Sequence, residues 1–588
     1  MSTNSRLLQL PPEIILVVVC QLPVPDALRC KQACKYLYNL LENSVTVQYL
    51  TELYAAYQRP LDTITVTSTA DRLEPLRELS SNWANLQFNR FARLEYPFES
   101  CAAYELTGGK LIFGSSGTRM IGDLNGTTAL IVYDLSYGDA PESEWSLKPQ
   151  RVTLPYPIAD FAMDVSQNLL ILAVRTPAPT MSLHIVALDS GVQHPDASKP
   201  TLTMPIYAWV TMHISGPILA CLYIDPMIGT DIVVIWNWQT GENVGQVAAR
   251  RMKSIVLLSP FAMVVANLDQ ESLDIYEINV SDKEVILLRR LLLPRVSTDD
   301  DLGPFMYEEA LLRAYPSPRY PASSQNPYGK DVHPTDYPFT TEESDGIVAC
   351  VFHTSGPSHY SLFAHRSALL HPYGDPDSNH RSVAPLIPWS EWGPDNVRWL
   401  DIECSMYWIC YVHGHRVAVL EKRQDTSSGN VSKDEDPLLY RQIQLRQEIG
   451  QRMIEDNSVG AILSELSEEE QSLFAMDLDS RFFSLRVLDF NPRAIRRLKT
   501  DANISSISPT TPIRERAGRG QLLVTEPSKM NDIVETRLPY LETTVRLHDL
   551  EFIDPWRRVH GVMINGECLI LLLSAHESES SGVYVCHL

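Results

Sequence analysis

The chain has 588 residues, with 49 Lys and Arg against 72 Asp and Glu, for a formal net charge of −23. At about 150 residues per domain it has room for three to four domains, or for one large all-β body with an appendage. A hydrophobic content of 44% supplies a substantial core and excludes a wholly disordered chain. The acidic balance disfavours non-specific attraction to nucleic acid or anionic membrane, because like charges repel at long range.

The longest strongly apolar run, residues 14–20, has seven residues, far short of the roughly 20 a bilayer span needs. Pro11, Pro12 and Glu13 stand directly ahead of it, which does not fit a secretory signal. The ten cysteines are sparse and lie mostly in apolar runs, as reduced buried thiols do. Cys30 and Cys34 have helical spacing and no second pair accompanies them, so they do not read as zinc ligands. These features predict a cytoplasmic or nuclear protein without a membrane span.

Leu10-Pro11-Pro12-Glu13-Ile14-Ile15 opens a helix: proline is tolerated in the first turn, and Glu13 suits the positive end of the dipole. Leu22-Pro23-Val24-Pro25 ends it, and Asp26 is the expected N-cap of a second helix. Leu28, Ala33, Leu37 and Leu41 then form an apolar stripe widened by Cys30, Cys34 and Leu40. Val45, Tyr49, Leu53 and Tyr57 continue at helical spacing. A piece this small, with no disulfide or metal, does not enclose its own core, so part of its apolar surface must meet the rest of the chain or another protein.

This segment resembles an F-box. Leu10-Pro11-x-Glu13-Ile14-Ile15, the apolar Val18 and Val19, Leu22-Pro23-x-x-Asp26-x-Leu28-Arg29 and Ala33-Cys34-Lys35 follow the family pattern of Leu-Pro-x-Glu-Ile-Leu, Leu-Pro-x-x-Asp-Leu and Val-Cys-Arg. The departures (Ile15 for Leu, Ala27-Leu28 for Leu-Leu, Ala33 for Val) change size within an apolar role. The resemblance implies binding to Skp1, the adaptor that bridges F-box proteins to a cullin ubiquitin ligase, with Leu10, Pro11, Ile14, Ile15, Leu22 and Leu28 as the Skp1-facing surface. The alternative is that these residues merely pack a terminal helical cap.

Residues 51–96 read as a partly helical connector, with Leu73, Leu76, Leu79, Trp83 and Leu86 recurring at three or four. From about residue 97 the texture becomes short β-rich phrases separated by turns, with no glycine-opened βαβ rhythm. Taking Tyr133, Ala187, Trp236 and Tyr276 as markers of outer strands gives spacings of 54, 49 and 40; Ala364 follows after 88 and Val419 after 55. Propeller repeats run at about 40–50 residues, so this is a degenerate β-propeller signal. Trp236-Asn237-Trp238 before Thr240-Gly241 is similar to the strand end of WD-type blades, though the Gly-His…Trp-Asp signature is absent. The hairpin around Asn565-Gly566, read as a two-residue turn, and residues 582–588 are expected to complete a ring begun near residue 100.

Interruptions are expected at 299–345, rich in Pro and Tyr, and at 424–480, polar and then acidic and helix-like, with a basic loop at 493–520. The sequence contains no G-x-x-x-x-G-K-S/T, G-x-S-x-G or H-E-x-x-H. His413-Gly414-His415 lacks an identifiable third ligand and reads as a hairpin turn.

The fold class expected is therefore a small all-α F-box at 1–50, a helical connector at 51–96, and a mainly-β domain at 97–588, a degenerate WD40-like propeller with loop and helical insertions. The function implied is a non-enzymatic substrate adaptor of a Skp1–cullin–F-box ligase, without catalytic residues, cofactor, metal or specific nucleic acid, binding an unidentified protein substrate through the β domain. Two alternatives stand beside it: a propeller enzyme or ligand-binding protein on which the N-terminal helices only pack, and a Skp1-bound assembly factor that transfers no ubiquitin. The whole resembles the F-box proteins with propeller-like tails of basidiomycete fungi.

Overall fold

The computed structural model describes residues 6–61, 68–95, 103–115, 126–136, 147–175, 180–204, 209–224, 229–294, 307–318, 337–354, 359–373, 384–402, 404–405, 409–422, 441, 444–445, 449, 467, 483–501, 515–517, 521–530, 534–550, 552–553, 559–573 and 582–588.

Four short helices come first: α1 (Pro12–Cys20), α2 (Val24–Ala33), α3 (Lys35–Glu42) and α4 (Val45–Ala56). Helix α1 begins as the sequence indicates, with Pro12 in its first turn and Glu13 behind it. Helix α2 starts three residues earlier than expected: Pro23 is its N-cap, and Asp26 lies inside the first turn, paired with Arg29. The Ser44 hydroxyl accepts from the Val47 amide to cap α4, whose last turn ends on Tyr57 in the left-handed conformation. Ile15, Val19, Leu37, Leu41 and Val47 form the small core these helices share.

Helix α5 (Thr69–Asn85) follows, opened by a reciprocal capping box between Ser68 and Asp71. Its buried stripe of Leu73, Leu76, Leu79 and Trp83 is the one the spacing predicts. The end of the expected connector is not helical, however. Arg90–Glu95 is a strand that pairs antiparallel with Gly582–His587 near the C-terminus.

That pairing closes a ring. Seven sheets of four or more strands succeed one another along the chain, antiparallel except where Leu386–Ile387 adds a short parallel edge to Glu284–Leu292. Their first strands are Tyr104–Thr107, Asp160–Asp164, Trp209–Ser215, Met252–Ser259, Tyr307–Arg313, Val412–His413 and Val559–Ile564. First strands touch in succession from the first sheet through the fifth, and again between the sixth and the seventh, so these edges face a common axis. The apolar core is correspondingly divided into seven clusters, each lying between two adjacent sheets, including the one where the last sheet meets the first. The body is a seven-bladed β-propeller whose seventh blade takes three strands from the C-terminal end and its outer strand from residues 90–95. Closure leaves no radial gap at which a further sheet edge would be exposed to pairing.

The repeat markers fall one strand further in than expected, and Val419 two. Tyr133, Ala187, Trp236, Tyr276 and Ala364 lie on the third strands of blades one to five, and Val419 on the second strand of blade six. The outermost strands of blades one to four have alternating or largely exposed burial, so their apolar signal is weak and the third strand looks like the last. The turn in the C-terminal hairpin also shifts: Gly566 and Glu567 are its central residues, and the Asn565 carboxamide oxygen accepts from the amides of Glu567 and Cys568.

Two interruptions hold regular structure. Within 299–345, Tyr307–Arg313 is the first strand of blade five, and Phe339–Thr341 pairs with Gln58–Pro60. Arg493, Arg496, Arg497 and Lys499, expected in a loop, lie on the helix Pro492–Asp501, whose first turn is capped by the Asn491 side chain. Most of 424–480, and residues 502–514, lie outside the described residues.

Candidate functional site

The N-terminal helices are fastened to one side of the ring. On α4, Tyr49 and Leu53 enter the apolar cluster that also holds Leu76 and Trp83 of α5 and Leu569 and Leu571 of blade seven. Polar contacts fix the angle. The Arg493 guanidinium lies between the rings of Tyr54 and Tyr57, 3.8 and 3.6 Å from their centroids, and donates to the Tyr54 carbonyl at 2.9 Å. Asn491 donates to the Ala55 carbonyl at 2.8 Å, and Arg497 makes a two-pronged ion pair with Glu52. Those two carbonyls belong to the last turn of α4, where backbone acceptors lack helical partners and cations are favoured. The Trp83 indole N–H donates to the Gly566 carbonyl at 3.0 Å.

The imidazoles singled out in the sequence belong to this junction. His413 and His415 flank a turn at Gly414, whose φ of +58° favours glycine. His413 Nε2 lies 3.0 Å from the Thr341 hydroxyl, and the His415 ring packs on Tyr57 at 4.1 Å. Burial, with Arg416 beside it, lowers the His413 pKa to about 3, so the ring remains neutral at the junction. Among the described residues no three metal-ligating side chains converge.

Attachment through α4 leaves α1 uncovered. Ile15, at 0% exposure, and Val19 turn into the helical core, whereas Ile14 is 47% and Val17 60% exposed. Leu7, Leu8, Leu10, Val18 and Leu22 are also exposed, as is Pro11, and Leu28 is half-buried. Of the six residues that the F-box resemblance places at a partner surface, Leu10, Pro11, Ile14 and Leu22 thus lie on one apolar strip. Ile15 lies beneath it as support, because neighbouring positions on a helix point about 100° apart. Val17, Val18, Leu7 and Leu8 extend the strip and were missed; the signal was a helix apolar on all sides, which implies that both of its faces become covered. Exposed apolar groups gathered this densely mark an interaction surface.

The family profile of the F-box domain matches residues 7–46. Residues 7–46 are an F-box domain. A search of curated proteins finds no match. Among solved structures the chain is similar to the WD40 domain of SCAP from fission yeast, at 7% identity and a TM-score of 0.33, covering 83% of this chain and 84% of that one. It is also similar to an uncharacterized Listeria monocytogenes protein, at 9% identity and a TM-score of 0.23, covering 47% of this chain and 63% of that one. A chain of a mitotic checkpoint complex aligns at 13% identity and a TM-score of 0.22, over 36% of this chain and 56% of that one. The chain thus spans less than two thirds of the Listeria and checkpoint chains, and the seven-bladed assignment rests on the strand pairing described above. No described helix is long and apolar enough to cross a membrane.

Proposed function

We propose that the protein is a substrate adaptor of a Skp1–cullin ubiquitin ligase: the F-box docks Skp1, and the propeller presents a protein client. The observation that carries this reading is the apolar strip of Leu10, Pro11, Ile14, Val17, Val18 and Leu22, left open on a domain otherwise fastened to the ring. Covering such a strip gains about 25 cal/mol per Å² of apolar surface removed from water.

The client surface follows from the connectivity. In an antiparallel blade, the turn after the first strand and the chain leaving the third strand emerge on the same side. The F-box junction uses segments of that side: Phe339–Thr341 in blade five, the turn at Gly414 and the helix after Asn491 in blade six, and Gly566 in blade seven. The opposite face therefore remains for a client. Trp209, 64% exposed, opens the first strand of blade three there, with the Arg175 guanidinium 4.6 Å from its ring. Aromatic and arginine side chains of this kind anchor interfaces. The chain's contribution is proximity, raising the effective concentration of a client lysine near a charged conjugating enzyme without chemistry of its own.

Reconstitution tests the reading. The full-length protein is mixed with Skp1, then with a cullin–RING module and a ubiquitin-conjugating system. Stable capture of Skp1 followed by recruitment of the cullin is the expected result. Capture without cullin recruitment would replace the adaptor reading with that of an assembly factor, and absence of capture would remove both.

A further inference from the structure

The central channel of the ring is floored on the F-box side. Residues 314–318, directly after the first strand of blade five, cross the axis and bind three other blades. The Tyr315 hydroxyl meets the Thr107 hydroxyl at 2.6 Å and accepts from the Gly108 amide at 2.7 Å in blade one. The Tyr315 carbonyl accepts from the Gly414 amide of blade six at 2.7 Å. Ser215 of blade three donates to the Pro318 carbonyl at 2.7 Å. Blades one, three and six stand around the ring, so a segment joined to all of them closes the channel.

Above that floor, four blades bring ionisable side chains together. Glu105 precedes Thr107 by two residues, His213 precedes Ser215 by two, and Arg313 precedes Tyr315 by two, so the three share a level roughly 7 Å above the floor. Asp160 opens the first strand of blade two beside them. Arg313 acts electrostatically on Glu105, Asp160, His213 and the Cys410 thiol. Among the described residues it makes no ion pair with either carboxylate; its Nη1 donates to the neighbouring Leu312 carbonyl, and its Nε is buried without a hydrogen bond. The His213 Nε2 is likewise buried and unsatisfied. All four residues are half-buried, and with the floor closed the cluster is approached from the face away from the F-box.

The charges do not balance. Two carboxylates face one guanidinium, and burial together with Arg313 lowers the His213 pKa to about 3, leaving that ring neutral. Burial, with Asp160 adding to it, raises Glu105 to about 7, and burial raises Asp160 to about 6. With both carboxylates ionised, the cluster is short of one positive charge.

We propose that this floored pit takes the cationic tip of a lysine or arginine side chain from a protein client. A blind, water-poor cavity with one uncompensated carboxylate favours a single long cation, whose apolar stem lies along the channel wall. The proposal deepens the adaptor reading and rests on it for the identity of the guest as a protein. Entry of the cation favours the charged carboxylates, so binding at neutral pH releases a proton chiefly from Glu105, Asp160 being already mostly ionised there. The groups acting on those carboxylates are Arg313 of blade five, Tyr104 of blade one, Tyr315 of the floor and Cys410 ahead of blade six, with His213 of blade three beside Arg313.

The test uses the full-length protein and three capped tripeptides with lysine, norleucine or glutamate at the centre, followed by saturation-transfer NMR and by calorimetry at pH 7 in two buffers of different ionisation enthalpy. The lysine peptide is expected to bind at least tenfold tighter than the other two, with net proton release. Glu105→Gln with Asp160→Asn is expected to abolish both the preference and the proton release, while leaving Skp1 capture unchanged. Equal binding of lysine and norleucine, tighter binding of glutamate, or lysine binding without proton release overturns the proposal. Spermidine binding more tightly than the lysine peptide overturns the assignment to a protein side chain. Skp1 capture is measured on the same samples, so failure of the pit and failure of the adaptor reading are told apart. If the double variant does not fold, the proton release of the unmodified protein decides.

Discussion

Replacing Ile14 by aspartate separates docking from folding. Burying a whole isoleucine is worth about 1.5–3 kcal/mol. With 47% of Ile14 exposed in the free chain, a partner covering the remainder gains about 1 kcal/mol from it. An aspartate there stays hydrated in the free protein, so stability is expected to change by only about 0.5 kcal/mol. Beneath a bound partner the same carboxylate loses its water and finds no cation, which costs several kcal/mol more. The sum is about 4 kcal/mol or more, roughly a thousandfold in affinity. Ile15→Asp differs in kind. Ile15 has 0% exposure and packs with Val19, Leu37, Leu41 and Val47, so the charge enters the helical core and the F-box itself unfolds. Full-length proteins are compared by gel filtration with Skp1 and by hydrogen exchange of residues 12–56. Ile14→Asp should lose Skp1 and keep native exchange, whereas Ile15→Asp should lose both. Co-elution of the Ile14→Asp protein with Skp1 at wild-type levels would refute the reasoning, and so would native exchange in Ile15→Asp.

Further expectations concern the junction, the ring and the pit. Arg493→Met removes two cation–π contacts and the hydrogen bond to Tyr54, and should cost about 1–3 kcal/mol; the change is read as faster exchange at the end of α4 with Skp1 affinity unchanged. Leu94→Asp puts a charge on the buried side of the closing strand, and thermal unfolding should fall by several degrees, a loss of about 3 kcal/mol or more. Trp238→Ala empties a fully buried site and removes the indole's hydrogen bond to the Gly216 carbonyl, which keeps the one from Gln167, at a cost of about 3–5 kcal/mol read in denaturant melts. Glu105 has its folded-state pKa raised to about 7 from 4.5, so the native state binds more protons than the unfolded chain between those values and stability falls as pH rises through that window. Glu105→Gln should therefore raise the melting temperature at pH 8 and leave it nearly unchanged at pH 4.5.

The F-box was legible because its signal is local: a proline pair, an apolar helix and a second Leu-Pro at fixed separations within forty-odd residues. Which side of α1 faces outward was not, since Leu10, Ile14, Ile15, Val17, Val18 and Val19 are all apolar and only packing against Leu37, Leu41 and Val47 selects Ile15 and Val19 for the core. The propeller was legible through its third strands, which are apolar on both faces between neighbouring blades. The closing strand at Arg90–Glu95 was hidden, because its partner lies at the other end of the chain and its exposed face carries Phe91 and Arg93, leaving only Ala92 and Leu94 as an apolar signal. The helix after Asn491 carried a readable start in Asn491-Pro492, masked by the run of arginines that made it resemble a solvated loop. The pit was invisible for a topological reason. Its four side chains come from four blades, and no spacing along the chain brings Glu105, Asp160, His213 and Arg313 together before the ring closes.

The proposed socket for Skp1 is the strip along α1. Hydrogen exchange of the full-length chain with and without saturating Skp1 addresses it most directly. Slowed exchange is expected in residues 7–33, with unchanged exchange in the first strands of the propeller. Unaltered exchange along α1, or protection confined to the ring, would contradict it.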